Sequence, residues 1–369
     1  MRDDVWVEVD IGALKHNLGQ LKSRLAAGTR ILAVVKANGF GHGYVEPARA
    51  FVEAGACGLG VTRLDEALIL RAGGIDAPIL VFAPISADNA AEAIRARVEI
   101  TIDSPNLAQA VSDTAGAIGA RAKAHLKVDT GMGRLGCDPD EAPGLVETIA
   151  RMPGIQLAGI YTHFADAAAG SLSRARAQLR RFVQVLDRVR GLGIEGVTAH
   201  AANSAALLRM PESHLDMVRP GTALYGQYPS RMAPRDLDLR STWVLKTRVC
   251  AVRTLAKGAR VGYGGEFTTR RVTRTAVLPI GYADGFTLAP EGPMWRQSPL
   301  SFAVRRIRRR PAVLLRGCRA PVLGRVSMQT CVVDVTDIPG VEPGDEAVTP
   351  AMRIPTSALI RRVYTNSFV

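Results

Sequence analysis

The feature that most constrains the fold is an eightfold alternation of short apolar runs with amphipathic stretches, in about the first 220 residues. The runs have the length of buried strands. They span residues 31–35, 57–61, 79–83, 98–102, 123–128, 157–162, 196–200 and 215–219. The stretches between them have apolar residues at helical spacing, and we expect Gly191 to cap the longest helix. Eight such units predict a (β/α)8 TIM-like barrel over residues 1–234.

The texture changes from about residue 235, where segments rich in valine are broken by glycine and proline. The strand candidates here are residues 243–252, 273–280, 312–315, 321–326 and 331–335. The helical pattern is sparse, so the sequence predicts a mainly-β domain over residues 235–369. We expect residues 5–9 to add a strand to this domain.

Composition argues against several other classes of protein. No run approaches 18 uninterrupted apolar residues, so no membrane-spanning helix is expected. The first residues include acids and no apolar signal core, which favours a cytoplasmic location. The five cysteines are far apart in sequence and form no CxxC pair, so we expect buried thiols rather than a metal site or disulfides.

The chain is basic, with a net charge of +13 and its densest run from Arg305 to Arg310. Such a run can bind nucleic acid. However, acidic residues are spread along the whole chain, and the run has no interleaved aromatic residues. We therefore expect a solvated surface and no nucleic-acid partner.

Polar residues follow the ends of five predicted barrel strands. These are Lys36, the segment 129–134 that ends in Arg134, His163, His200 with Asn203 and Ser204, and Arg219 with Gly221 and Thr222. Taken singly, each has an ordinary structural explanation, such as a surface lysine or a core histidine. Because the carboxyl ends of barrel strands share the rim where the catalytic residues of this fold lie, the set predicts an active site.

The residue types at this rim restrict the chemistry. No carboxylate pair or metal cluster is placed there, which argues against a glycosidase or a metallohydrolase. A lysine amine whose pKa is lowered by burial is a nucleophile towards carbonyl groups. Ser204 and the amides of Gly221 and Thr222 are suited to a phosphate, and Arg134 to a carboxylate. An anionic cofactor with a carbonyl group would match this set.

Eight motifs, in this order, resemble those of the bacterial alanine racemase family, which are pyridoxal 5'-phosphate enzymes made of a barrel and a β domain. They are AVVKANGFGHG (33–43), VDTGMGRLG (128–136), YTHF (161–164), HAANS (200–204), VRPG (218–221), VGYG (261–264), GYADG (281–285) and GRVSM (324–328). The likeness runs from about Val5 to the C-terminus.

The resemblance implies that Lys36 binds the cofactor as an imine and exchanges a proton on one face of the substrate. Tyr263 from the other subunit would act on the opposite face. Arg219 would face the pyridine nitrogen, with His200 supporting it. His163 would bond to Arg219 or lie near the ring. The remaining cofactor-binding positions are Asn203, Ser204, Gly221 and Thr222.

The same resemblance implies a small amino-acid substrate whose carboxylate is bound by Arg134 and by the amide of Met328 from the partner. Lys127 matches a position that can be carbamylated and that orients Arg134, and Tyr282 is a supporting residue. Because Tyr263 and Met328 lie in the β domain, the family pattern implies a homodimer with shared sites. The implied reaction interconverts L-alanine and D-alanine and supplies D-alanine for peptidoglycan.

Three departures from the family pattern concern the substrate. Phe40 replaces a tyrosine whose hydroxyl would reach the phosphate, and Gln329 replaces an aspartate. The C-terminus has no clear counterpart of a second tyrosine, for which Tyr364 is a candidate. A racemase for serine or another amino acid is therefore the main alternative. A related pyridoxal-phosphate decarboxylase or aldolase, or a non-catalytic pyridoxal-phosphate binding protein, fits the motifs less well.

Overall fold

The computed structural model describes residues 4–287 and 311–368. The chain divides into two compact units, Ile11–Thr242 and a second made of Met1–Asp10 with Trp243–Val369. The sequence placed this division at residues 234 and 235, eight residues earlier, and assigned residues 1–10 to the barrel domain. The run from Arg305 to Arg310 lies outside the described residues.

The first unit is a closed barrel of parallel strands in sequential order, in which the first strand pairs with the last through Arg30 and Met217. The strands are β2 (Arg30–Val34), β3 (Gly58–Val61), β4 (Ile79–Val81), β5 (Glu99–Ile102), β6 (Ala122–Lys127), β7 (Ile155–Tyr161), β8 (Thr198–Asn203) and β9 (Met217–Arg219). The predicted (β/α)8 barrel is therefore confirmed, with all eight strands where the apolar runs lie.

The helices of this unit connect the strands. They are α1 (Ile11–Lys22), the short left-handed turn α2 (Lys36–Phe40), α3 (Val45–Glu53), α4 (Leu64–Ala72), α5 (Ala90–Arg95), α6 (Pro105–Ala117), α7 (Ala142–Ala150), α8 (Ser173–Gly191) and α9 (Ser204–Arg209). The expectation that Gly191 caps α8 was wrong, because Gly191 is its last helical residue. The left-handed glycine is Gly193, with φ of 71°.

The barrel strands are rich in buried apolar residues because parallel strands are covered on both faces. Leu59, Ile79 and Ile100 are fully buried. Tyr161, at the end of β7, is also fully buried, and its hydroxyl bonds with the Thr101 hydroxyl and donates to the Phe82 carbonyl. This arrangement fixes the strand ends from which the polar rim residues extend.

The second unit is mainly β, as predicted. Its strands are β1 (Val5–Asp10), β10 (Trp243–Arg248), β11 (Ala251–Leu255), β12 (Arg260–Val261), β13 (Phe267–Thr268), β14 (Thr273–Leu278), β15 (Ala312–Leu315), β16 (Cys318–Pro321), β17 (Cys331–Asp334), β18 (Glu346–Thr349) and β19 (Arg361–Thr365). A six-stranded sheet has the order β16-β15-β18-β10-β1-β19, and β11-β14-β17 form a second sheet. The predicted strand at residues 5–9 is confirmed as β1, between β10 and β19.

Two strand predictions in this domain were wrong. Residues 243–252 form two strands rather than one, because the chain changes sheets: Val249 donates to Asp345, and Cys250 donates to Val277. Residues 321–326 form no continuous strand, because the chain turns at Gly324, which has φ of 69° and packs against the Val261 carbonyl.

Within residues 4–287 and 311–368, no helix has both the length and the hydropathy needed to cross a membrane. In the same part of the chain, no three His, Cys, Asp or Glu side chains are grouped to hold a metal ion. All five cysteines are free thiols. The expectation of buried thiols was wrong for Cys250 and Cys318, which are exposed.

Candidate active site

A cavity of about 480 Å³ lies at the carboxyl ends of the barrel strands. It is lined by Lys127, which the family resemblance implied, and by the predicted rim residues Lys36, Arg134, His163, Asn203, Ser204, Arg219, Gly221 and Thr222. No acidic residue is among the described residues that line it. A cavity of this size with several cationic side chains is suited to a small anionic ligand.

Lys36 stands at the start of a left-handed turn. Ala37, Asn38 and Phe40 have φ of 53°, 55° and 52°, a conformation that costs on the order of 1–3 kcal/mol for each non-glycine residue. The buried carboxylate of Glu66 offsets part of this cost, since it accepts a hydrogen bond from the Ala37 amide at 2.7 Å. The Lys36 amine is therefore anchored by a backbone that is held in one unusual conformation.

The environment of Lys36 makes its amine easier to deprotonate than that of a free lysine. Burial lowers the pKa of the amine, and the charge of Arg134 lowers it further, while Glu66 opposes the change. A lysine with a depressed pKa has more free amine at neutral pH and is a better nucleophile and base.

Arg219 is buried at the end of β9, and its guanidinium is held by three hydrogen bonds. It donates to His200 Nδ1 at 2.8 Å and to the carbonyls of Thr162 at 2.6 Å and Ala201 at 3.1 Å. Its centre lies 5.1 Å from the ring centroid of Tyr161, a cation–π distance. Burial lowers the pKa of Arg219 to about 10, so the group remains a cation at neutral pH.

His200 and His163 have different positions. His200 is fully buried behind Arg219 and does not line the cavity. His163 does line it, but the hydrogen bonds that Arg219 donates go to His200 and to two carbonyls rather than to His163. Burial, followed by the charges of Arg219 and Arg134, lowers the pKa of His163 to about 3, so its ring is neutral.

Lys127 and Arg134 both line the cavity and are close enough for their charges to interact. Burial, then the charges of Arg134 and Arg219, lowers the pKa of Lys127 to about 8. Arg134 lies at the end of a turn built around Asp129, whose carboxylate accepts from the Met132 amide at 2.7 Å and the Arg134 amide at 3.1 Å. The aspartate therefore shapes the loop that presents the guanidinium.

A hydroxyl and backbone amides meet at another part of the cavity. The Ser204 hydroxyl oxygen accepts from the Gly221 amide at 2.8 Å and the Ala223 amide at 3.3 Å. Its own hydrogen is then available for a ligand oxygen. The Asn203 side chain caps α9 by accepting from the amides of Ala205 and Ala206, which fixes the serine at the start of the helix.

Phe40 faces this same region. Its ring packs on Tyr225, with centroids 4.8 Å apart. A Cβ atom on Gly221 would lie 2.9 Å from the Phe40 Cζ atom, so a larger residue at position 221 would require the Phe40 ring to move. Because Cζ is where a tyrosine has its hydroxyl, the departure at Phe40 removes a donor that would point at the Gly221 turn.

The other predicted residues lie in the β domain and outside the cavity lining. Tyr263, Met328 and Tyr282 have exposed fractions of 71%, 60% and 44%. Tyr282 and Met328 are in neighbouring loops, since the Ala283 amide donates to the Met328 carbonyl at 3.0 Å. Large apolar side chains that are this exposed in one domain are typical of a surface that contacts another molecule.

The other two departures from the family pattern, Gln329 and the C-terminal candidate Tyr364, also lie in the β domain. Gln329 is exposed beside Met328. Tyr364 is in β19, where it pairs with Val9 in the six-stranded sheet. Its place in a regular strand gives no independent sign of a binding role.

The sequence reasoning missed three buried polar residues around the site: Glu66, His125 and Tyr161. His125 could have been found, because it precedes Lys127 by two residues in β6 and alternate strand residues point to the same face. Glu66 gave no comparable sign, since it lies in an ordinary amphipathic helix, α4.

Comparisons with known proteins agree with this geometry. Residues 9–229 match the alanine racemase N-terminal domain, and residues 242–365 match the alanine racemase C-terminal domain. The alanine racemase of Desulfovibrio desulfuricans is 41% identical over 344 residues, which cover 93% of this chain and 88% of that protein. The alanine racemase of Desulforamulus reducens is 40% identical over 351 residues, with 94% and 90% covered.

Solved structures show the same architecture. The alanine racemase of Clostridium difficile 630 has a TM-score of 0.91 at 30% identity and covers 100% of this chain and 98% of its own. The alanine racemase of Bacillus anthracis with bound L-Ala-P has a TM-score of 0.85 at 30% identity, with 99% and 96% covered. Both domains and nearly the whole chain therefore match one family of isomerases, and this chain belongs to the alanine racemase family.

Proposed function

We propose that this protein interconverts L-alanine and D-alanine with pyridoxal 5'-phosphate bound in the barrel cavity. The observation that supports this most is the position of Lys36, a partly buried amine of lowered pKa in a cavity with several cations and, among its described lining residues, no acid. The related structures named as complexes with cycloserine and with L-Ala-P support a small amino-acid substrate.

The residues present fit this cofactor. Lys36 would hold its carbonyl end, and the Ser204 hydroxyl with the amides of Gly221 and Thr222 would hold its phosphate. Arg219 would face the ring nitrogen and, as a guanidinium, would donate to it without giving up a proton. When bound, the cofactor draws electron density away from the α-carbon of an amino acid and makes its proton easier to remove.

In the proposed mechanism, two groups move that proton. The lowered pKa of Lys36 suits its Nζ atom to take or give the proton on one face. The Tyr263 hydroxyl would do so on the opposite face of a site in a second subunit. Its 71% exposure in this chain supports that role, because the hydroxyl is accessible to a partner. A homodimer with shared sites is part of this proposal.

The substrate carboxylate would be bound by Arg134 and by the amide of Met328 from the partner. Lys127 would orient Arg134. Its pKa of about 8 supports carbamylation, since the neutral amine is the form that reacts with carbon dioxide. The exposed loops with Met328 and Tyr282 would form the other wall of the site.

A racemase for serine or another amino acid is the second candidate, and the departures at Phe40 and Gln329 favour it. Initial rates for a panel of L-amino acids with the purified, cofactor-loaded protein would separate the two. We expect alanine to have the highest kcat/KM, whereas a preference for serine or lysine would reject the alanine assignment. Supply of D-alanine for peptidoglycan and a cytoplasmic location stay predictions.

A further inference from the structure

A continuous line of side-chain hydrogen bonds leads from Arg219 into the barrel. His200 Nδ1 is 2.8 Å from the guanidinium, and His200 Nε2 is 2.9 Å from His125 Nδ1. His125 Nε2 is 3.0 Å from the Glu99 carboxylate. Both imidazoles are buried, with 0% and 3% exposure. The line therefore connects strands β9, β8, β6 and β5 through the interior.

Strand β7, which lies between β6 and β8 in the barrel, leaves room for the contact between His125 and His200. Gly159 lies in β7, and a Cβ atom there would be 2.3 Å from His125 Nδ1. That distance is far too short for two atoms that are not bonded. The hydrogen bond between His125 and His200 thus requires glycine at residue 159, because any side chain there would collide with His125.

The proton positions along the line follow from its first member. A guanidinium has only N–H donors, so His200 Nδ1 must accept and its proton must be on Nε2. That N–H then donates to His125 Nδ1, which places the proton of His125 on Nε2, facing Glu99. In this arrangement each imidazole carries one proton, on Nε2, so both have the same tautomer.

The charges around the line agree with this order. Burial and the charge of Arg219 hold the pKa of His200 well below its ordinary value. Burial alone would raise the pKa of Glu99, but its hydrogen bond with His125, together with the charges of Lys123 and Arg30, lowers it. A carboxylate at one end and a guanidinium at the other polarise the two imidazoles in the same direction.

We infer that Glu99 and His125 are positioning residues, which fix His200 in the tautomer that accepts from Arg219. If His200 carried its proton on Nδ1 instead, two donors would face each other, and the guanidinium would lose a bond that helps to orient it. The consequence for a bound cofactor rests on the proposed function, whereas the expected tautomers rest only on the contacts between these side chains.

The direct test is nuclear magnetic resonance of the full-length protein labelled with ¹⁵N histidine. We expect both His200 and His125 to have a bare Nδ1 and a protonated Nε2 at pH 7, with assignments from His200→Gln and His125→Gln. A His200 that is protonated on Nδ1, or on both nitrogens, in the unmodified protein would overturn the inference without any variant.

Variants at Glu99 test the far end of the line. Glu99→Leu removes the acceptor and should allow both imidazoles to exchange tautomers, whereas Glu99→Gln retains an acceptor oxygen and should keep them fixed. Glu92→Leu removes an exposed carboxylate from α5 as a control and should change neither. Unchanged His200 shifts in Glu99→Leu would contradict the inference.

A second readout connects the line to turnover. In the cofactor-loaded protein, Glu99→Leu should lower kcat on the order of tenfold, as loss of an outer hydrogen-bond partner does, with a smaller change in KM and recovery in Glu99→Gln. An unchanged kcat in Glu99→Leu would contradict the positioning role. Absence of racemase activity in the unmodified protein, with the expected tautomers, would reject the proposed function alone.

Discussion

The Glu66 carboxylate accepts a hydrogen bond from the amide of Ala37, the residue that follows Lys36, at 2.7 Å. Its other oxygen accepts from the Thr62 amide at 2.8 Å. One buried side chain thus joins the loops after β2 and β3. Because the turn after Lys36 is left-handed, its geometry depends on partners outside the turn itself.

Glu66→Gln should destabilise the fold by about 1–3 kcal/mol, since the amide group places a donor against backbone donors in a buried site. Urea unfolding monitored by circular dichroism measures this. Glu53→Gln is the control, because it removes a half-exposed ion pair with Lys15, for which we expect less than about 1 kcal/mol. Equal losses of unfolding free energy in Glu66→Gln and Glu53→Gln would show that Glu66 has no special role.

The pH dependence of cofactor attachment should report the amine of Lys36. Attachment needs the neutral amine, so its rate should rise with pH. The midpoint of this rise should lie below the ordinary lysine pKa of 10.5. Arg134→Gln removes a charge that lowers this pKa, so the midpoint should move up. Absorbance changes on adding pyridoxal 5'-phosphate to the cofactor-free protein measure both midpoints. Arg174→Gln, an exposed control, should leave the midpoint in place, and a downward shift in Arg134→Gln would contradict the assignment.

Acid should destabilise the protein partly through His163. Its folded-state pKa of about 3 is below the ordinary 6.5, so the unfolded chain binds the proton first as pH falls. This contribution to stability is present above pH 6.5 and is lost as pH falls from there towards 3, by at most about 1.4 kcal/mol per pH unit. His163→Asn should therefore flatten the loss of stability between pH 6.5 and 4.5 in urea unfolding. The same pH slope in this variant and the unmodified protein would reject the prediction.

Phe40→Tyr should strengthen cofactor binding. The added hydroxyl would project from Cζ towards the Gly221 turn, where the phosphate is proposed to lie. A hydrogen bond to a charged group contributes about 1.5–3 kcal/mol, so we expect Kd to fall by about tenfold or more. Fluorescence titration of the cofactor-free protein measures it. Phe40→Leu lacks the hydroxyl and should show no gain, and weaker binding in Phe40→Tyr would place the phosphate elsewhere.

The barrel was predictable because its signal is local and repeated. Each apolar run, such as the one before Lys36, had the length of a buried strand, and the rim residues followed from chain order alone. The β domain was less predictable, because strands such as β10 and β11 are continuous in sequence yet belong to different sheets. Their separation is decided by pairing with Asp345 and Val277, which are distant in sequence.

The supporting residues of the site were hidden for a similar reason. The contact between His125 and His200 joins residues 75 positions apart and requires a glycine in the strand between them. Glu66 reaches Ala37 across 29 positions. The spacing of residues within one segment does not predict contacts between distant segments. The residues that face the cavity could be predicted, because they directly follow the ends of strands.

The last prediction concerns the sharing of sites between subunits. Lys36→Ala and Tyr263→Phe should each be nearly inactive as pure proteins, because each lacks one proposed base. If each site takes Lys36 from one chain and Tyr263 from the other, half of the dimers in an equal mixture are hybrids with one intact site. Activity should then recover to about a quarter of the unmodified level after subunit exchange.

A mixture of Lys36→Ala with a Lys36→Ala, Tyr263→Phe double variant is the control, since no combination of these chains contains an intact site. The assay is the racemisation rate followed by circular dichroism of alanine. No recovery in the first mixture, with hybrid dimers demonstrated by native mass spectrometry, would place both bases in the same chain. Because Tyr263 is exposed in the β domain and absent from the cavity lining, we expect recovery.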